Sequence, residues 1–191
     1  MKSNMLQRFS LGLARCEEIA AAALAAAVTC LILTNIAFRA LGSPLYWISE
    51  LAIYAMIWMT FLIAATVFKR RQGIAVTLLS DLLPQSGRKL IGIWVDTMVL
   101  LFALLLAWLC WRWYQPLALV QAGFDTRAFQ GQTFNFIYAE NTSTLGIKKF
   151  WAWLIVPWFA LSLSLHSWAN LIQSLKQWRT PTPESTAKAL R

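Results

Sequence analysis

Charged side chains are scarce in this chain, at 13% of 191 residues. That is about half the share of a soluble domain and too few to coat a globular surface in water. A single histidine, His166, excludes a haem-bearing membrane cytochrome, whose haems call for histidine pairs. Three cysteines, Cys16, Cys30 and Cys110, are scattered and form no CxxC pair. A disulfide framework, a zinc site and thiol redox chemistry are therefore excluded. Eight glycines and six prolines without a period exclude collagen-like and low-complexity classes. No nucleophile–base pair, metal-ligand cluster or phosphate loop is present, so no enzyme, no catalytic, substrate-binding or metal residue and no cofactor is expected. The net charge of +9 raises the question of nucleic acid. Its carriers fall in short groups between apolar runs, which is the pattern of membrane topology and not of a nucleic-acid surface.

What is abundant is apolar: 59% hydrophobic residues and a mean hydropathy of +0.55. A helix needs about 20 apolar residues to cross about 30 Å of hydrocarbon. Four runs qualify, at about 19–38, 51–68, 90–114 and 150–175. Each is continuous and does not alternate, so the chain is expected to be an all-α membrane protein with four transmembrane helices. The first run is longer than a signal-peptide core and is expected to be retained. With both termini placed on the cytoplasmic side, that side carries twelve Lys and Arg and the other five, so an N-in/C-in topology is expected. Residues 1–178 then form one membrane domain, with an outer loop at 115–149. The Pro- and Thr-containing tail, 179–191, is expected to be disordered in the cytoplasm. Tryptophans cluster at the expected interfaces, whereas Trp58 and Trp158 fit packing between helices.

Between the spans, Ile74, Leu78 and Leu82 repeat at helical spacing after the basic trio Lys69-Arg70-Arg71, and Pro84 ends the stretch. An interfacial helix after the second span fits, with Arg88-Lys89 anchoring the third. Continuation of the second span as one tilted helix fits equally. The outer loop carries Phe124, Phe129, Phe134, Phe136 and Tyr138, and such aromatics are buried against the protein's own helices or a partner.

Ionisable groups at membrane depth are functional candidates by default. Arg39 closes the first span and Glu50 opens the second, a spacing that suits a salt bridge between them and leaves a direct transport role as the alternative. Asp96, about two turns into the third span, is expected to pair with Arg88, Lys89 or a partner subunit. His166 among leucines and serines reads as a hydrogen-bonded packing residue before a proton relay. Pro157 reads as a kink, and no span is otherwise broken at mid-depth in the manner of a transporter's ion site.

The segment Pro44-Leu45-Tyr46-Trp47-Ile48-Ser49-Glu50-Leu51-Ala52 resembles the Pro-x-x-Trp-x-x-Glu-Leu-Ala element of the small membrane subunit of TRAP (tripartite ATP-independent periplasmic) transporters, the DctQ family. Arg39, Trp58, the Arg70-Arg71 turn with Ile74 and Val76, and Leu79, Leu82 and Pro84 follow the same pattern. So do Ser143-Thr144-Leu145-Gly146-Ile147 and Pro157. Gly73 stands where that family often has His, Ile63-Ala64-Ala65 where it has Gly, and Lys148 where a Pro is common. These departures leave the subfamily, and hence the substrate, open.

The resemblance implies an accessory, scaffold-like subunit in the bacterial inner membrane. It would brace the large transport subunit of a sodium-driven importer that takes organic acids, such as C4-dicarboxylates or sialic acid, from a periplasmic binding protein. Arg39, Trp47, Glu50, Trp58 and Asp96 would then be subunit-interface or fold-locking groups. Lys69, Arg70, Arg71, Arg88 and Lys89 would anchor lipid headgroups. Phe129, Phe134, Phe136 and Tyr138, on the outer side, are candidates for contact with the binding protein. The competing expectation is an autonomous small oligomeric transporter or exporter, which needs a titratable residue facing a cavity at mid-span.

Overall fold

A computed structural model describes residues 5–71 and 85–179. Four long helices carry the chain back and forth: α1 (Met5–Ala40), α2 (Tyr46–Arg70), α3 (Gln85–Tyr114) and α7 (Ile155–Arg179). Three short helices lie between α3 and α7: α4 (Pro116–Gln121), α5 (Thr126–Thr133) and α6 (Lys149–Trp153). Four helical segments are long and apolar enough to cross a membrane, the last of them formed by α6 and α7 together, and the described residues contain no strand. The expected interfacial helix at 74–83 and the tail beyond Arg179 lie outside the described residues.

Local chemistry sets the boundaries. α1 ends where Gly42 takes φ +74, its N–H reaching the Arg39 carbonyl while Ser43 N–H reaches Phe38. That pair of bonds satisfies the last helical carbonyls, and Pro44 prevents continuation. α4 starts with Pro116 in its first turn, and α5 is capped by the Asp125 side chain, which accepts from the Arg127 amide at 2.9 Å. Pro157 supplies no N–H for the carbonyl four residues back, and the fourth span is interrupted at Leu154 between α6 and α7. The expected kink is thus a break about one turn before the proline. The Ala152 carbonyl beside it accepts from the Trp58 indole N–H at 2.7 Å, so Trp58 of α2 stitches the break shut.

α1 packs chiefly on α2 and α3 on α7, both pairs antiparallel, while α7 also lies along α2 and runs parallel to it. Both chain ends of the bundle therefore lie at one pole (the terminal pole), and α4 to α6 at the other (the loop pole). α7 is the central helix, with Ile155, Ala160, Leu163, His166 and Ala169 all fully buried. Ala65, Ala103, Phe159 and Leu163 form the principal core, with Phe61 edge-on to Phe159 at 5.2 Å. Small residues at the crossings let the backbones approach closely, as membrane helices do.

Outward faces are as apolar as the core. Ile19, Leu33, Ile36, Leu101, Leu105, Trp108 and Leu161 are all exposed. Such a belt is untenable in water and suits hydrocarbon or a partner's helices. The chain is a multi-pass membrane protein. Its 36-residue α1 is about 54 Å long, well beyond the hydrocarbon thickness, so its first turns extend past the apolar run.

The 115–149 segment has a core of its own. Tyr114, Phe129, Ile137 and Tyr138 cluster there, with Phe129 edge-on to Tyr138 at 5.3 Å. The Tyr138 hydroxyl donates to the Tyr114 carbonyl at 2.7 Å, and burial pushes that phenol up from its ordinary pKa. The bond is complete at neutral pH and is lost only as strongly alkaline solution ionises the ring.

Candidate functional site

Two polar assemblies hold the bundle, one at each pole. At the loop pole Glu50, one turn into α2, meets the turn that precedes α6. Gly146 at φ +69 and a bond from Thr142 N–H to the Ile147 carbonyl at 2.8 Å fold residues 142–147 back on themselves. Three amides thereby converge on one carboxylate: Ser143 at 2.8 Å, Thr144 at 2.6 Å and Leu145 at 3.1 Å. The Thr144 hydroxyl donates at 2.6 Å and Tyr54 at 3.3 Å. The two sequence segments that carried the resemblance, around Glu50 and around Ser143, are therefore one structural unit.

The expected Arg39–Glu50 salt bridge does not form. The Glu50 carboxylate is engaged by main-chain donors more than ninety residues away, and Arg39 is exposed at the end of α1 with no ion pair among the described residues. Trp47 is also partly outside, 43% exposed. Converting Glu50 to Gln replaces one acceptor oxygen with an N–H₂ that faces donors. The amides of 143–145 are expected to exchange hydrogen roughly tenfold faster in E50Q, read by mass spectrometry.

At the terminal pole α7 presents a buried stripe at i, i+4 spacing: Ser162, His166, Asn170 and Ser174. Each member reaches another helix. Ser162 donates to one oxygen of Glu17 on α1, His166 Nε2 stands 3.1 Å from the other, and Ser10 lies 2.7 Å from Nδ1. An ionised carboxylate only accepts, so Nε2 carries the hydrogen, and in the neutral ring Nδ1 accepts from Ser10. One turn further on, Asn170 accepts from Lys69 at 3.2 Å and donates to the Phe68 and Lys69 carbonyls. Arg71 contacts Asp96 at 2.5 Å, the Asn170 carbonyl at 2.8 Å and Ser174 at 2.6 Å, and Ser174 also donates to Asp96.

These contacts change several assignments. Asp96 pairs with Arg71, not with Arg88 or Lys89, because α2 ends beside α3 with Arg71 in the left-handed conformation, φ 54. Lys69 is buried against Asn170 and is not a headgroup anchor, whereas Arg71 is tied into the same network through Nη2 and keeps about a third of its side chain exposed. Arg70 pairs with Glu18 of α1 at 2.5 Å. Arg88 and Lys89 are engaged as well. Phe129 and Tyr138 lie inside the loop core, so they offer no surface to a binding protein. Phe134 and Phe136 are exposed, at the rim of a groove of about 400 Å3 that also includes Arg112, Glu140 and Lys149. Trp158 is half exposed and does not pack between helices.

Glu17 was invisible to a span drawn from Ile19, yet it is 2% exposed and the hub of the α1–α7 contact. The usable signal was the Ser-His-Asn-Ser stripe, which demands partners inside the bundle. Among the described residues, no group of three or more His, Cys, Asp or Glu could hold a metal ion. Chemically, then, the two assemblies join helices to one another.

A family model described as "Tripartite ATP-independent periplasmic transporters, DctQ component" matches residues 28–177, most of the chain and all of the loop-pole assembly. No curated protein matches the sequence.

Proposed function

The chain belongs to this family, a transporter component and not an enzyme, and from that premise we propose that it is the small accessory subunit bracing the large transport subunit of a sodium-driven importer of organic acids. One observation carries the bracing role. Each buried acidic, basic or histidine side chain among the described residues, Glu17, Lys69, Asp96 and His166, is bonded to another helix of this chain, while broad apolar faces remain outside. A site that binds and releases an ion needs ligands with spare coordination. These groups are arranged to keep four helices in one geometry.

α1 is the least buried of the long helices and, with α7, borders an apolar groove of about 840 Å3 that includes Ala20, Ala23, Trp58 and Trp158. Its small residues suit a closely approaching partner helix, and we assign the large subunit there. The excess of Lys and Arg at the terminal pole supports the orientation with both termini in the cytoplasm of a bacterial inner membrane. The loop pole then faces the periplasm, where exposed Phe134 and Phe136 are available to a substrate-binding protein.

Uptake by proteoliposomes holding the large subunit, with the binding protein and a sodium gradient supplied, tests the reading. Uptake of an organic acid is expected with this chain present and is expected to be lost without it. Equal uptake in both cases would remove the bracing role.

A further inference from the structure

α2 and α3 do not pack closely on each other; each lies on α7, and a cleft of about 210 Å3 remains between them at the terminal pole. Its walls are apolar: Val67 and Phe68 from α2, Val95 and Val99 from α3. Its floor holds Ser167, which is 3% exposed and whose hydroxyl has no hydrogen-bond partner. A buried hydroxyl left unpaired in an apolar setting costs free energy and points to a missing partner. At the polar end of the cleft stands Arg71, which makes all three of its contacts through Nη2 and keeps about a third of its side chain exposed. Its Nε and Nη1 have no protein partner among the described residues. Arg71 pairs with Asp96 there, and Lys69, bonded to Asn170, adds a second positive charge close by.

We propose that this cleft is a binding site for one glycerophospholipid, its phosphate at the outer edge of Arg71, an ester carbonyl accepting from Ser167, and an acyl chain between α2 and α3. The two polar levels favour a lipid over a free anion. Ser167 lies three residues from Asn170, whose carbonyl Arg71 contacts, or about 4.5 Å along the helix axis. A phosphate and a glycerol ester of one lipid are offset along the bilayer normal in the same sense. A free phosphate satisfies Arg71 and leaves Ser167 bare. The proposal does not depend on what the assembled transporter carries.

Gly92, on the α3 side of the cleft, provides the test, because a Cβ added there meets nothing within 4 Å. Gly92→Leu fills the cleft without a backbone clash and raises helix propensity, so the variant is expected to fold. The full chain, purified in mild detergent, is examined by native mass spectrometry with added phosphatidylglycerol, and separately with inorganic phosphate. Wild type is expected to hold one tight lipid and no phosphate. G92L is expected to lose the lipid with its melting temperature kept, and S167A to weaken lipid retention about fivefold. Lipid retention unchanged in both variants overturns the proposal. So does uptake of inorganic phosphate that competes with the lipid, which would mark a simple anion site. Loss of association with the large subunit in G92L, with lipid retained, also overturns it and gives the cleft to a protein partner.

Discussion

Replacing Glu17 by alanine is expected to lower the stability of the bundle by about 3 kcal/mol, read as the midpoint of unfolding in a mixed-micelle denaturant titration. The change leaves His166, fully buried, facing an empty pocket, and strips Ser162 of its acceptor. Leaving a buried donor without its acceptor costs about 1–3 kcal/mol, and both Ser162 and His166 are left so. The two losses sum toward the lower end because unfolded helices in a bilayer or micelle also find polar partners. His166→Ala should cost a similar amount. The double variant Glu17→Leu/His166→Leu should recover most of the loss, since replacing both partners by apolar groups leaves nothing unpaired. Coupling of this kind is the signature of a lock between α1 and α7. Strictly additive losses would show two independent packing residues instead.

Replacing Asp96 by leucine is the second large effect. Arg71 then keeps only the Asn170 carbonyl and Ser174, and the positive charge of Lys69 close by gains no counter-ion. Arg71 is a third exposed and can turn toward water or headgroups, so the cost is expected near 2 kcal/mol, below that of an enclosed pair. Asp96→Asn keeps an acceptor for Ser174 and is expected to cost about half as much. The same titration separates them. An unchanged midpoint in D96L would mean that the Arg71 bridge contributes nothing to holding α2 beside α3.

The spans were legible because hydrocarbon imposes a long, uninterrupted apolar run, and four such runs give four helices. What escaped was the pairing of polar groups across them. A hydropathy window that starts at Ile19 discards Glu17 as a flank, although Glu17 meets a histidine 149 residues away. Arg39 and Glu50 invited pairing because opposite charges eleven residues apart are conspicuous, whereas the donors that reach Glu50 are main-chain amides, which have no letter in the sequence. Only a turn bent at Gly146 brings three of them to one oxygen pair. The aromatic outer loop was legible as something that must be buried, but not which rings. Phe129 points into the loop core from α5, while Phe134, ending that helix at φ 53, is 82% exposed. The basic trio shows the same limit: Lys69, Arg70 and Arg71 look like one headgroup anchor as letters, and each points to a different partner once wound on a helix.

On the proposed function, this chain carries the frame of a transporter and not its ion or solute site. Uptake of a labelled organic acid into proteoliposomes containing the chain alone, with a sodium gradient and the binding protein supplied, tests it most directly. No uptake above empty vesicles is expected, with full uptake restored when the large subunit is added. Sodium-dependent accumulation by the chain on its own would contradict the account.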